Sequence, residues 1–134
     1  MKHRLVIDTS VYLTYASHGK LYRLLNAKNV YGLTVFINNY MLYELDKNMP
    51  KVSKTRTTTK EDSLGMIMQI ASFVETIPLF TNSPDPKDNF LFDLAIQTNS
   101  EVIVTKEKAL LNFTESPVAI HDIKWFKETF PVPL

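Results

Sequence analysis

Short runs of β-branched and aliphatic residues, Leu5-Val6-Ile7, Leu33 to Ile37, Val102-Ile103-Val104 and Val118 to Ile120, are separated by stretches whose apolar residues recur at helical spacing. Runs this short and this apolar read as strands buried on both faces. Strands that alternate with helices build a parallel sheet covered on each side. The pattern therefore predicts an α/β fold: a three-layer α/β/α arrangement around a central, mainly parallel sheet. Helices are expected over Ser10 to Ala16, along the stripe Leu21, Leu24 and Leu25, and from an Asn38-Asn39 cap through Met41, Leu42 and Leu45. A further helix over Glu61 to Glu75 carries Leu64, Ile67, Met68, Ala71 and Val74, the most regular apolar stripe in the chain, which reads as core or as a homodimer interface. Thr81 to Pro86 reads as a loop, Asp88 opens a helix to about Thr98, and a last helix over Asp122 to Phe130 stops at Pro131.

A chain of 134 residues suits one domain, 1–134, with a core that needs no staples. Cysteine is absent, which excludes a disulfide scaffold or a thiolate metal site and suits a reducing compartment such as the cytoplasm. Asp8 interrupts the only N-terminal apolar stretch and no small-residue cleavage site follows, so no signal peptide is expected, and no apolar run is long enough for a membrane span. With 15 basic and 14 acidic residues the net charge is +1, so any grip on nucleic acid must come from a local patch.

Five carboxylates, Asp8, Glu44, Asp88, Asp93 and Glu107, fall where such a domain would bring them together. Asp8 ends the first strand and Thr9-Ser10 follow as helix-starting residues, and in open parallel sheets the ligand crevice lies outside the carboxyl ends of the strands. At an effective dielectric near 20, two charges 4 Å apart repel by about 4 kcal/mol. Clustered acids are therefore protonated in part or bridged by a cation. An all-oxygen donor set favours Mg²⁺ or Mn²⁺, as one or two ions. Four of the five have a plainer reading. Asp8 and Asp88 could cap helices, and Glu44, beside Asp46 and Lys47, and Asp93 could lie on solvated helix faces.

The blocks Leu5-Val6-Ile7-Asp8-Thr9-Ser10-Val11, Tyr43-Glu44-Leu45, Asp85-Pro86-Lys87-Asp88-Asn89-Phe90-Leu91-Phe92-Asp93-Leu94-Ala95 and Thr105-Lys106-Glu107-Lys108-Ala109-Leu110-Leu111 resemble, in order, the four motif blocks of PIN domains. The resemblance spans essentially the whole chain. It implies a metal-dependent endonuclease of single-stranded RNA, related to the VapC-like toxins of toxin-antitoxin pairs, that leaves a 5′-phosphate and is neutralised by a small antitoxin protein. In that reading Asp8 and Asp88 ligate metal directly, Glu44 ligates or holds a metal-bound water, and Glu107 serves the second ion or the attacking water. Asp93 joins as a ligand only if Asp88 stands outside the regular turns of its helix. Thr9, Ser10 and Thr105 would hydrogen-bond metal waters or phosphate, or act as caps.

The last block departs from the family's Thr-Gly-Asp-x-Asp-Leu-Leu: Lys106-Glu107 stands for Gly-Asp, and Ala109 for the second Asp. The extra methylene of Glu107 moves its carboxylate by about 1.5 Å, against the roughly 0.5 Å that catalytic placement tolerates. Lys106 could pair with an acid or bind phosphate. A catalytically impaired PIN-like module that binds RNA or protein is thus the second reading, and a phosphotransferase with Asp8 as nucleophile is a third. For an RNA surface, Lys51, Lys54, Arg56 and Lys60 lie among hydroxyl residues and could grip phosphates, although a solvated connection explains them equally. His3, His18 and His121 lack metal-ligand spacing, and Trp125-Phe126 reads as core.

Overall fold

In the computed structural model, residues 3–53 and 59–133 are described, with backbone alone at 50–53. Strand β1 (Arg4–Ile7) leads into helices α1 (Thr9–Ser17) and α2 (Leu21–Tyr31), then β2 (Thr34–Ile37), α3 (Asn39–Ser53), α4 (Lys60–Ile70) and β3 (Ala71–Phe73). After an irregular stretch a 3-10 turn (Pro86–Asp88) opens α5 (Asn89–Gln97), followed by β4 (Val102–Val104), α6 (Lys108–Leu111), β5 (Ala119–His121) and α7 (Ile123–Thr129). The expected α/β architecture is the observed one. All pairings are parallel, in the order β3-β2-β1-β4-β5.

That order reverses direction at β1. Connections towards β3 and towards β5 run opposite ways, and right-handed crossovers then place α1 to α4 on one face and α5 and α6 on the other. The packing agrees: α3 lies against α1 and α4, α4 against α2, and α5 against β1 and β4. Leu5, Val6, Ile7, Ile37, Ile103 and Val104 are at most 1% exposed, so the central strands are covered on both faces, as their unbroken apolar runs require.

One expected helix is divided. The Glu61 to Glu75 stripe is helical only to Ile70, and Ala71–Phe73 forms β3 against β2 with Val35 beside Ala71 and Ile37 beside Phe73. No Gly or Pro separates the two elements. Ala71 simply turns to φ −113°, ψ 142°, because ladder bonds to β2 outweigh one more helical turn. Apolar residues three and four apart fitted both readings until tertiary pairing decided. The stripe is therefore not a continuous helical face: Ile67 and Ile70 are buried, and Met68 is exposed. No helix among the described residues is long and apolar enough to cross a membrane.

Candidate functional site

The reversal of strand order puts a crevice between the carboxyl ends of β1 and β4, the place where open α/β sheets hold ligands. Asp8 follows β1 and Thr105 follows β4. The Asp8 amide donates to the Val104 carbonyl (2.8 Å) and the Thr105 amide to the His121 carbonyl (2.9 Å), so sheet hydrogen bonding fixes both backbones just where they emerge. Asn38, after β2, turns the chain into α3: its Oδ1 accepts from the Met41 amide (3.0 Å), while its Nδ2 donates to Thr76 Oγ1 (3.1 Å) and to the Phe90 carbonyl (3.3 Å). One buried amide side chain thus sets α3, which carries Glu44, against the start of α5.

Asp8, Asp88 and Glu107 are the N-cap residues of α1, α5 and α6, and none uses its side chain to cap. Two other helices are capped by their side chains: Thr59 accepts from the Asp62 amide (3.1 Å) and Asp122 from the Trp125 amide (2.9 Å). The carboxyls at the sheet edge are engaged with one another and with hydroxyls instead. Thr105 Oγ1 (2.8 Å) and Ser10 Oγ (3.0 Å) both donate to Asp8 Oδ2. Thr9 Oγ1 lies 3.4 Å from Asp8 Oδ1 and 3.2 Å from Glu44 Oε1, linking the two acids. The Glu107 amide donates to Thr105 Oγ1 (3.1 Å), so a fully buried hydroxyl ties Asp8 to the α6 start.

The electrostatics follow from this crowding. Burial, opposed by the Thr105 and Ser10 hydroxyls and supplemented by repulsion from Glu107, raises the Asp8 carboxyl above its ordinary range. Burial and the charge of Asp8 raise Glu44. Asp88 is pushed up to about 8, first by burial and then by a side-chain hydrogen bond and repulsion from Glu107, with Asp8 and Asp85 adding to it. A hydrogen bond between two carboxyls needs one of them to hold a proton. Four acids therefore act on each other across one crevice, and a proton is retained there near neutral pH.

Among the described residues, however, no three His, Cys, Asp or Glu side chains stand close enough to hold one metal ion together. The expected joint ligand set of Asp8, Asp88, Asp93 and Glu107 is not assembled. Hydroxyls engage both Asp8 oxygens, and Asp88 and Glu107 bond each other. The donors fit a hard divalent cation in kind, and their mutual repulsion is what such a cation relieves, but their spacing is not that of a closed site.

Asp93 stands apart from the crevice. It is buried, and its Oδ1 accepts from the amides of Leu79 (3.0 Å) and Phe80 (2.7 Å), pinning the segment after β3 to α5. Lys106 makes no pair with an acid among the described residues: its ammonium donates to Thr14 Oγ1 (2.8 Å) on α1. Of the expected RNA surface, Lys60 pairs with Asp46 at 3.0 Å, whereas Lys54, Arg56 and the Lys51 side chain lie outside the described residues. Sequence reasoning missed Lys87, whose charge acts on Glu44 and whose ammonium lies 3.6 Å from Asp85. Its place beside Asp88 was the available signal. It also missed the cations that line a cavity between α1, α2 and α7.

A sequence model described as PIN domain matches residues 4–109, from β1 into α6. No curated protein matches the chain. Among solved structures, the fold is similar to the crystal structure of PAE2754 from Pyrobaculum aerophilum (TM-score 0.63, 16% identity, 96% of this chain and 89% of that one). It is also similar to a domain of a functionally unknown protein from Methanocaldococcus jannaschii (TM-score 0.61, 16% identity, 90% and 91%). At this identity the likeness concerns the fold.

Proposed function

The chain belongs to the PIN domain family, a family generally of nucleases, and from that premise we propose that it is a divalent-metal-dependent endonuclease of single-stranded RNA acting at Asp8, Glu44, Asp88 and Glu107. The observation that carries this reading is that three helix N-caps at the crevice withhold their carboxyls from capping, while burial and the charge of Glu107 raise Asp8 and Asp88. Structural acids are arranged to lower their own energy. These are arranged against it, which is the mark of a site awaiting a positive charge.

Asp88 and Glu107 would hold the cation, Mg²⁺ or Mn²⁺, with Asp8 facing it. Binding would displace the proton that the pair shares. Such an ion supplies Lewis acidity, which makes water a competent nucleophile at neutral pH and offsets charge on a leaving oxygen. The protein's own part is orientation. Thr105 and Ser10 hold Asp8, Thr9 spaces Asp8 from Glu44, and Lys87 offers a cation beside Glu44 for a phosphate oxygen. A role as the toxin of a toxin-antitoxin pair, with a small antitoxin covering the acids, belongs to the same proposal.

The test is cleavage of a mixed-sequence single-stranded RNA by the purified chain with Mn²⁺ or Mg²⁺, beside EDTA and the double variant Asp8→Asn, Asp88→Asn. Cleavage lost in both controls supports the proposal. A folded chain that neither cleaves nor binds Mn²⁺ by calorimetry sinks it. The binding-only module would then stand, favoured by Lys106-Glu107 and by the open spacing of the acids.

A further inference from the structure

A second charged feature lies on the α1, α2 and α7 side. Thr14, Tyr15, His18, Lys20, Arg23 and Lys127 line a cavity of about 280 Å³, together with Ile123. That is close to the lower end of the roughly 300–1,000 Å³ usual for ligand pockets. The local fold explains the convergence. Gly19, at φ 66°, lets the chain reverse after α1, the Lys20 amide donates to the Tyr15 carbonyl (2.8 Å), and Arg23 is thereby returned towards Tyr15. The α7 helix then brings Lys127 across the opening.

No carboxylate among the described residues forms an ion pair with Lys20, Arg23, Lys106 or Lys127. Arg23 Nε is buried and donates to no protein acceptor. Gathering like charges around a cavity and leaving a buried donor unpaired both cost free energy, and an anion relieves both costs at once. The feature is also continuous with the acidic crevice. Ser10, which holds Asp8, accepts at its carbonyl from Thr14 Oγ1 (2.9 Å), and Thr14 accepts in turn from Lys106 (2.8 Å), the neighbour of Glu107. Thr14 lies about 9 Å along α1 from Asp8 at 1.5 Å per residue.

We propose that this cavity binds a backbone phosphate of the single-stranded RNA whose cleavage is proposed above, holding the strand beside the acidic crevice through Lys20, Arg23 and Lys127. The inference rests on that reading of the site for its ligand. Its geometry and charge do not depend on catalysis.

The experiment is fluorescence anisotropy of a labelled mixed-sequence single-stranded RNA with the full chain in EDTA, over a KCl series. The wild type is compared with Arg23→Gln/Lys127→Gln. Each lost phosphate contact should lower the slope of log affinity against log salt by about 0.7, so the double variant should lose about 1.4 if both cations contribute. Lys20→Gln/Lys127→Gln changes only half-buried or exposed lysines and gives the same readout should the Arg23 variant fail to fold. RNA binding with an unchanged slope in the variants overturns the cavity and leaves the nuclease reading intact. Absence of RNA binding by the wild type overturns the cavity, and cleavage in Mn²⁺ then decides the nuclease reading separately. A variant that loses binding of adenosine monophosphate while keeping the RNA slope overturns it in favour of a small free phosphate ligand.

Discussion

Asp88 and Asp93 are both buried aspartates on the same short stretch of chain, and they live in opposite worlds. Asp93 accepts from two backbone amides and so stitches the segment after β3 to α5. Asp88 sits at the start of that helix, leaves the helix uncapped, and faces Glu107 with its carboxyl pushed up to about 8. The first arrangement spends a charge on holding structure together, and the second leaves a charge frustrated at the mouth of a crevice. Burial alone therefore says little about what an acid does; its partners decide.

The comparison can be broken most directly by exchanging the roles in assay. Asp88→Asn should reduce Mn²⁺-dependent cleavage by about a hundredfold or more, the loss of a metal-facing carboxylate exceeding the 10- to 100-fold typical of outer-shell changes. Its thermal stability in EDTA should not fall. A variant that cleaves like the wild type would remove Asp88 from the site. Asp93→Ala should do the reverse. Losing a charged acceptor shared by two amides is expected to cost about 2–3 kcal/mol, or roughly 10 °C in Tm, with cleavage by the folded fraction far less affected. Equal Tm in calorimetry would show that those hydrogen bonds hold nothing. A smaller effect is expected at Thr105, the buried hydroxyl between Asp8 and the Glu107 amide. Thr105→Val keeps the shape and removes the bonds, so Mn²⁺ affinity by calorimetry should fall about tenfold, and unchanged affinity would make Thr105 packing only.

How much of this was legible in sequence differs between the same two aspartates. Asp8 and Asp88 could be read because a strand end or a proline-rich turn meets a helix start at each, and local signals fix where such residues emerge. Asp93 was misjudged because its partners are main-chain amides of an irregular segment, which carry no side-chain signature at all. The sheet shows the same division. Strands with β-branched runs, β1, β2 and β4, were evident, whereas Ala71-Ser72-Phe73 became β3 only through its pairing with β2. The cavity cations Lys20, Arg23 and Lys127 are scattered over two helices and a turn, so only the fold assembles them.

The last test concerns pH, and it sharpens the contrast because Asp88 should govern it. In the unfolded chain an Asp loses its proton near the ordinary value of about 3.9. In the folded chain Asp88 keeps it until about 8. Below the lower value both states are protonated and the group contributes no difference. Between the two, the folded state holds a proton that the unfolded state has released. Stability must then decrease as pH rises, by up to about 1.4 kcal/mol per pH unit for one group, and the penalty stops growing above the folded pKa. In EDTA, the stability of Asp88→Asn minus that of the wild type should accordingly widen from about pH 4 to about pH 8 in urea titrations. Saturating Mn²⁺ should narrow the difference or reverse it, since an ion that binds the ionised carboxyl stabilises only the wild type. A difference that stays flat with pH would mean that Asp88 is ionised throughout, and that Asp88 and Asp93 are two versions of the same structural acid.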